Sequence, residues 1–87
     1  MSQTLMSKYK YIKRVNWPWI EIDDGSKENN SYVINMDDVS AIYTNPKSYY
    51  KDGIRFKDGS WLDNFYRDAL VELKDLVMTK EKEEEEA

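Results

Sequence analysis

Two groups of residues in this chain have types and spacings that could do chemistry. One is an oxygen-rich loop, and the other is a stretch of cations interleaved with aromatic rings. Residues 23–30 hold Asp23, Asp24, Glu28, Asn29 and Asn30. Oxygen donors suit a hard cation such as Ca²⁺, but alternating acids followed by a glycine at the sixth position are absent. The loop is expected to be solvated, with no metal. Acid–base catalysis with paired carboxylates requires one acid in an apolar setting that raises its pKa. Every Asp and Glu here falls in a turn, beside a glycine or on an exposed stripe. The chain has no histidine and no cysteine, which removes the commonest general base, metal ligand and thiolate nucleophile. Its glycines, Gly25, Gly53 and Gly59, form no phosphate-cradling run. These residues predict a protein that is not an enzyme and has no cofactor.

The second group is "KYKYIKRVNWPW", residues 8–19. Lys8, Lys10, Lys13 and Arg14 attract phosphates, and aromatic faces stack on unpaired bases, so one reading is a single-stranded nucleic-acid binder. The competing reading is an ordinary first strand with Tyr9 and Tyr11 in the core and the cations in water. It is preferred because four charges make a small footprint and the rest of the body is nearly neutral. Trp17 and Trp19 flank Pro18. If Ile20 and Ile22 face the core, Trp19 lies on the opposite face, where an indole is a strong binding anchor. The alternative is that one indole folds over the sheet edge as a lid. Tyr49 and Tyr50, in a loop over residues 45–53, are a second pair of candidate anchors.

The elements that position these residues follow from periodicity. Alternation over 8–15 predicts a strand with a basic face. Apolar parity then shifts across Pro18, which predicts a bulge or strand break there. Residues 19–23 and 31–36 alternate and form a hairpin around the polar loop. Asp37-Asp38 is a turn, and 39–44 is a further strand. In "IRFKDGSWL", Asp58-Gly59 predicts a two-residue hairpin turn that sets Phe56 opposite Trp61. Tyr66, Ala69, Leu70, Leu73, Leu76 and Val77 recur at helical spacing and predict a helix over 64–78, capped by Asp63 or Asn64. Asp68, Glu72 and Asp75 fall on its water-facing side. The expected fold is α+β: a small antiparallel, meander-like sheet of about four to six strands with one C-terminal helix packed on a face.

The segments "WIEIDDG", "YVINMDDVSAI" and "GIRFKDGSWL" in succession resemble the small β-rich proteins of the flagellar FlbD family. The resemblance spans about half the chain, implies an order of strands and turns, and carries over no functional residue.

The 87 residues predict a single small α+β domain over 1–79 and an acidic solvated tail over 80–87. The overall charge of −4 is uneven: the first twenty residues hold four cations and no acid, and residues 80–87 hold five Glu and two Lys. No apolar run approaches the length of about 18 residues that a membrane span needs, and the start lacks the apolar core of a signal peptide. Cytoplasmic residence away from the membrane is expected. The preferred reading is a non-catalytic protein-binding module, an accessory or inhibitor protein of a bacterium or phage, with Trp17, Trp19, Tyr49 and Tyr50 facing another protein.

Overall fold

The computed structural model describes residues 8–45, 47, 52–63 and 65–86, the last six as backbone only. The strands are β1 (Ile12–Asn16), β2 (Trp19–Asp23), β3 (Ser31–Asn35), β4 (Val39–Tyr43), β5 (Gly53–Phe56) and β6 (Trp61–Asp63). The helix α1 runs Arg67–Glu86. All neighbouring strands are antiparallel, but they form two three-stranded sheets, β1-β2-β3 and β4-β5-β6, where the sequence suggested one. The break falls at Met36–Asp38, a single 3-10 turn. Asn35 accepts the Asp37 N–H at 2.9 Å, and Met36 donates to the Pro18 carbonyl at 2.7 Å. A short polar side chain thus caps the backbone locally and turns the chain out of the first sheet.

The break expected at Pro18 is a turn between two paired strands. Trp17 and Pro18, joined by a cis peptide bond, form the two-residue turn of the β1–β2 hairpin, with Asn16 opposite Trp19. Proline has no N–H, so it fits a turn where no ladder bond is donated. The parity shift lies earlier: pairing moves from Ile12↔Ile22 to Arg14↔Glu21, which leaves Lys13 as the extra residue of a bulge. Ile12 and Val15, three residues apart, therefore both turn inward, Ile12 buried and Val15 packed against the core. Pairing of β4 with β5 skips Ser40 in the same way, so Val39 and Ile42 face in while Ala41 and Tyr43 are exposed.

The β5–β6 hairpin is also off its expected register by one residue. Ile54 pairs with Leu62 and Arg55 with Trp61, and the Phe56 N–H donates to the Ser60 carbonyl at 2.9 Å. The turn has three residues, with Gly59 at φ +90° taking the left-handed position of a bulged hairpin. Because side chains alternate faces, this one-residue slip turns Trp61 away from Phe56 and onto the outer face.

The core joins Ile12, Ile20, Ile22, Ile34 and Ile54 of both sheets to Phe65 and to Ala69, Leu70, Leu73 and Leu76 of α1. Helix and sheets thus share one apolar cluster. Asp63 lies on β6, and α1 begins at Arg67, later than its expected start; its backbone continues to Glu86 through the residues read as a tail. Tyr66, expected on the buried stripe, is exposed. Glu72, expected in water, instead accepts N–H groups of Lys10, Tyr11 and Ile12 at 3.0, 2.8 and 3.3 Å. This carboxylate ties the chain entering β1 to the helix, so residues 8–11 precede the strand as a strap. Gly25 is needed where the loop passes under that strap. Its φ is +75°, and a Cβ there would meet Tyr66 Cβ at 2.7 Å and Tyr11 Cε1 at 2.9 Å.

Candidate binding surfaces

The helix covers the inner side of the sheets, and four large side chains of the strands project from the outer faces. On the first sheet, Trp19 is 49% exposed and Val33 63% exposed. Glu21 pairs with Val33 and Trp19 with Asn35, so Trp19 and Val33 are diagonal neighbours. They flank a shallow groove of about 280 Å³ that Arg14, Asn16 and Glu21 also line. Arg14 Nε donates to Glu21 at 2.8 Å, and Ser31 Oγ donates to the same carboxylate at 3.2 Å. The hydrogen bond from Arg14 holds the Glu21 carboxyl below its ordinary value, against a smaller effect of desolvation. The groove therefore has an apolar rim and an internally neutralised floor.

Trp17 sits differently. It is partly buried, packs against the core, and lines a second groove of about 350 Å³ with Met36, Val39 and Val77. Lys80 Nζ lies 5.9 Å from its ring centroid. The two indoles flanking Pro18 therefore occupy different surroundings: Trp17 at the seam between the sheets and the helix, Trp19 on an open face.

Three of the four cations of the basic stretch pair with carboxylates of the same chain. Lys8 meets Asp75 at 3.2 Å, Lys13 meets Asp23 at 3.6 Å, and Arg14 meets Glu21 at 2.8 Å. Lys10 Nζ lies 5.4 Å from the Tyr11 ring centroid. The Tyr9 hydroxyl donates to Asp75 at 2.8 Å. Burial first, then that bond and the negative charges of Asp75 and Glu72, push the Tyr9 phenol up to about 12. The bonds from Tyr9 and then Lys8 hold Asp75 below the usual carboxylate range.

The outer face of the second sheet carries a cluster that the sequence reading missed. Trp61 is 52% exposed and Tyr43 is 40% exposed, their rings 6.3 Å apart at 90°. The Arg55 guanidinium carbon lies 5.8 Å from the Trp61 ring centroid. The available signal was the glycine: a three-residue turn ending in a left-handed Gly59 would have placed Trp61 beside Arg55.

The oxygen-rich loop uses its acid for its own backbone. Asp24 is buried and accepts the N–H groups of Ser26 at 2.9 Å and Asn30 at 3.2 Å. Burial pushes its carboxyl up, but these bonds outweigh burial and leave it below its ordinary value. The Asp24 carbonyl also accepts the Tyr66 N–H at 2.7 Å. Beside it lies an open depression of about 490 Å³, walled by Tyr32, Phe65 and Tyr66. Asp52, the other deeply buried acid, accepts Asn45 N–H at 2.7 Å and Arg67 Nε at 2.9 Å. Desolvation again opposes, and the Arg67 and Asn45 bonds prevail to lower its pKa. Among the described residues no group of three or more acids could hold a metal ion, and no helix is long and apolar enough to cross a membrane. Tyr49 and Tyr50 lie outside the described residues.

No protein-family model, no curated protein and no solved structure matches the chain.

Proposed function

We propose that this protein is a non-catalytic protein-binding module, a small accessory or inhibitor protein, whose partner covers the outer faces of its sheets. The observation that supports this reading is the placement of Trp19 with Val33, and of Tyr43 with Trp61, on faces that the helix leaves open. Exposed aromatic residues on a rigid pleated surface lose little entropy when covered, which favours association. Trp19 is the primary anchor in this reading, and Trp17 is a packing residue. The nucleic-acid reading is disfavoured because Lys8, Lys13 and Arg14 are paired internally. A strand of phosphates would have to compete with those carboxylates for each cation.

The test is capture of partners from lysate by the full chain, by Trp19→Ala and by Val33→Lys, with melting curves for all three. The expected result is loss of captured protein in both variants at near-unchanged stability. Equal capture by all three would refute a role for this face. Capture that is abolished by nuclease treatment, and that falls steeply with added salt, would favour the nucleic-acid reading.

A further inference from the structure

The two outer faces make different demands on whatever covers them. On the first sheet, a partner seated on Trp19 meets an arginine already matched, since Arg14 holds Glu21 at 2.8 Å. On the second, Arg55 lies over Trp61 and, among the described residues, forms no ion pair; none joins it to Asp63 on the neighbouring strand. Any segment that covers the exposed ring of Trp61 must also take Arg55 out of water. Removing a guanidinium from water without an anion is costly, whereas a carboxylate meets it with two parallel hydrogen bonds. An all-apolar segment would bury the ring and strand the charge.

We infer that the Trp61–Arg55–Tyr43 surface receives a partner protein segment carrying a glutamate or aspartate beside an apolar or aromatic side chain. The apolar group covers the angle between Tyr43 and Trp61, whose rings stand edge to face, and the carboxylate reaches Arg55. The guanidinium already lies within cation–π distance of the indole, 5.8 Å from its centroid, and this contact narrows the rotamers it must give up on binding. A single-stranded nucleic acid also offers an anion and rings. Among the described residues, however, this face shows one cation without an ion pair, Arg55, on a chain of net charge −4, and strand binding uses a run of cations. The inference rests on the protein-binding reading and names the chemistry of one of its partner's segments.

Three tryptophans give three indole N–H signals in an ¹⁵N-labelled sample of the full chain. Substituting each tryptophan in turn by phenylalanine assigns them. The probes are the capped peptide Ac-Phe-Glu-Leu-Glu-NH₂, its twin with both Glu replaced by Gln, and a short oligothymidylate. The expected result is a saturable shift of the Trp61 indole with the Glu peptide. The Gln twin should bind about tenfold more weakly, and Arg55→Gln should remove that difference, because one good charge-assisted contact is worth about a factor of ten. Arg55 is exposed, so the variant should keep its fold, which its spectrum reports directly. Equal affinity for the twins, a Trp61 signal unmoved by the Glu peptide, a shift only at Trp19, or a Trp61 shift with oligothymidylate alone would each overturn the inference. If the peptides fail while lysate capture still depends on Trp19, only this inference falls. If both fail, the binding reading falls with it.

Discussion

Asp75 holds the side chains of Lys8 and Tyr9 in the strap, but one carboxylate, Glu72, accepts the N–H groups of Lys10, Tyr11 and Ile12, and removing it has a calculable effect. In Glu72→Ala, the N–H groups of Lys10, Tyr11 and Ile12 lose their acceptor. The Lys10 N–H is exposed and turns to water, whereas Tyr11 is partly buried and Ile12 is buried. Hydrogen bonds to a charged group contribute about 1.5–3 kcal/mol each when buried, and less where water competes. The 3.3 Å bond to Ile12 shares an oxygen with the 2.8 Å bond to Tyr11, so it adds little of its own. The expected cost is about 2–3 kcal/mol, which for a domain of this size lowers the melting temperature by about 10–20 °C. Glu72→Gln keeps one acceptor oxygen and should lose about half as much. The control is Asp68→Ala, an exposed acid in the first turn of the same helix whose expected contribution, through the helix dipole, is about 0.3–1 kcal/mol. Thermal and urea melts followed by circular dichroism measure the stabilities, and amide exchange at Tyr11 and Ile12 locates the loss. If Glu72→Ala melts no lower than Asp68→Ala, or if exchange at Tyr11 and Ile12 is unchanged, the strap does not depend on Glu72.

Leu73 is fully buried where the helix meets the sheets, so Leu73→Ala should cost about 2–5 kcal/mol in a urea melt; an unchanged midpoint would show that α1 is not docked through it. Trp17→Ala should destabilise the fold clearly more than Trp19→Ala in paired melts, because Trp17 packs on the core and Trp19 does not; the reverse order would exchange their roles. The pKa of Asp52 is lowered in the folded chain, so its ionisation stabilises the native state above the unfolded value, near 3.8. That contribution is lost as pH falls through the lower folded value. Stability measured from pH 5 downward should therefore decline. Asp52→Asn should melt lower than wild type at pH 7, with the gap narrowing as pH falls below about 4; a gap that stays constant with pH would rule out a contribution from its ionisation.

The elements themselves were legible in the residues, because local patterns report local structure. Alternation marked the strands over 19–23, 31–36 and 39–44, and the spacing of Ala69, Leu70, Leu73 and Leu76 marked the helix face that enters the core. The α+β class and the antiparallel pairing followed from that order. Register and sheet membership did not follow, since each depends on a single residue whose effect is set by contacts across the chain. One bulged residue at Lys13, one at Ser40 and one extra turn residue before Ser60 decide which side chains face out. In a strand of period two, each such residue exchanges the two faces. The slips at Ser40 and before Ser60 bring Tyr43, Arg55 and Trp61 together on the open side of the second sheet. The acids show the same limit. Composition made Asp24, Asp52, Glu72 and Asp75 look solvated, because a carboxylate is ordinarily found in water. Only the folded chain supplies the N–H groups, the arginine and the tyrosine that hold each of them in place, from partners as far apart in sequence as Tyr9 and Asp75.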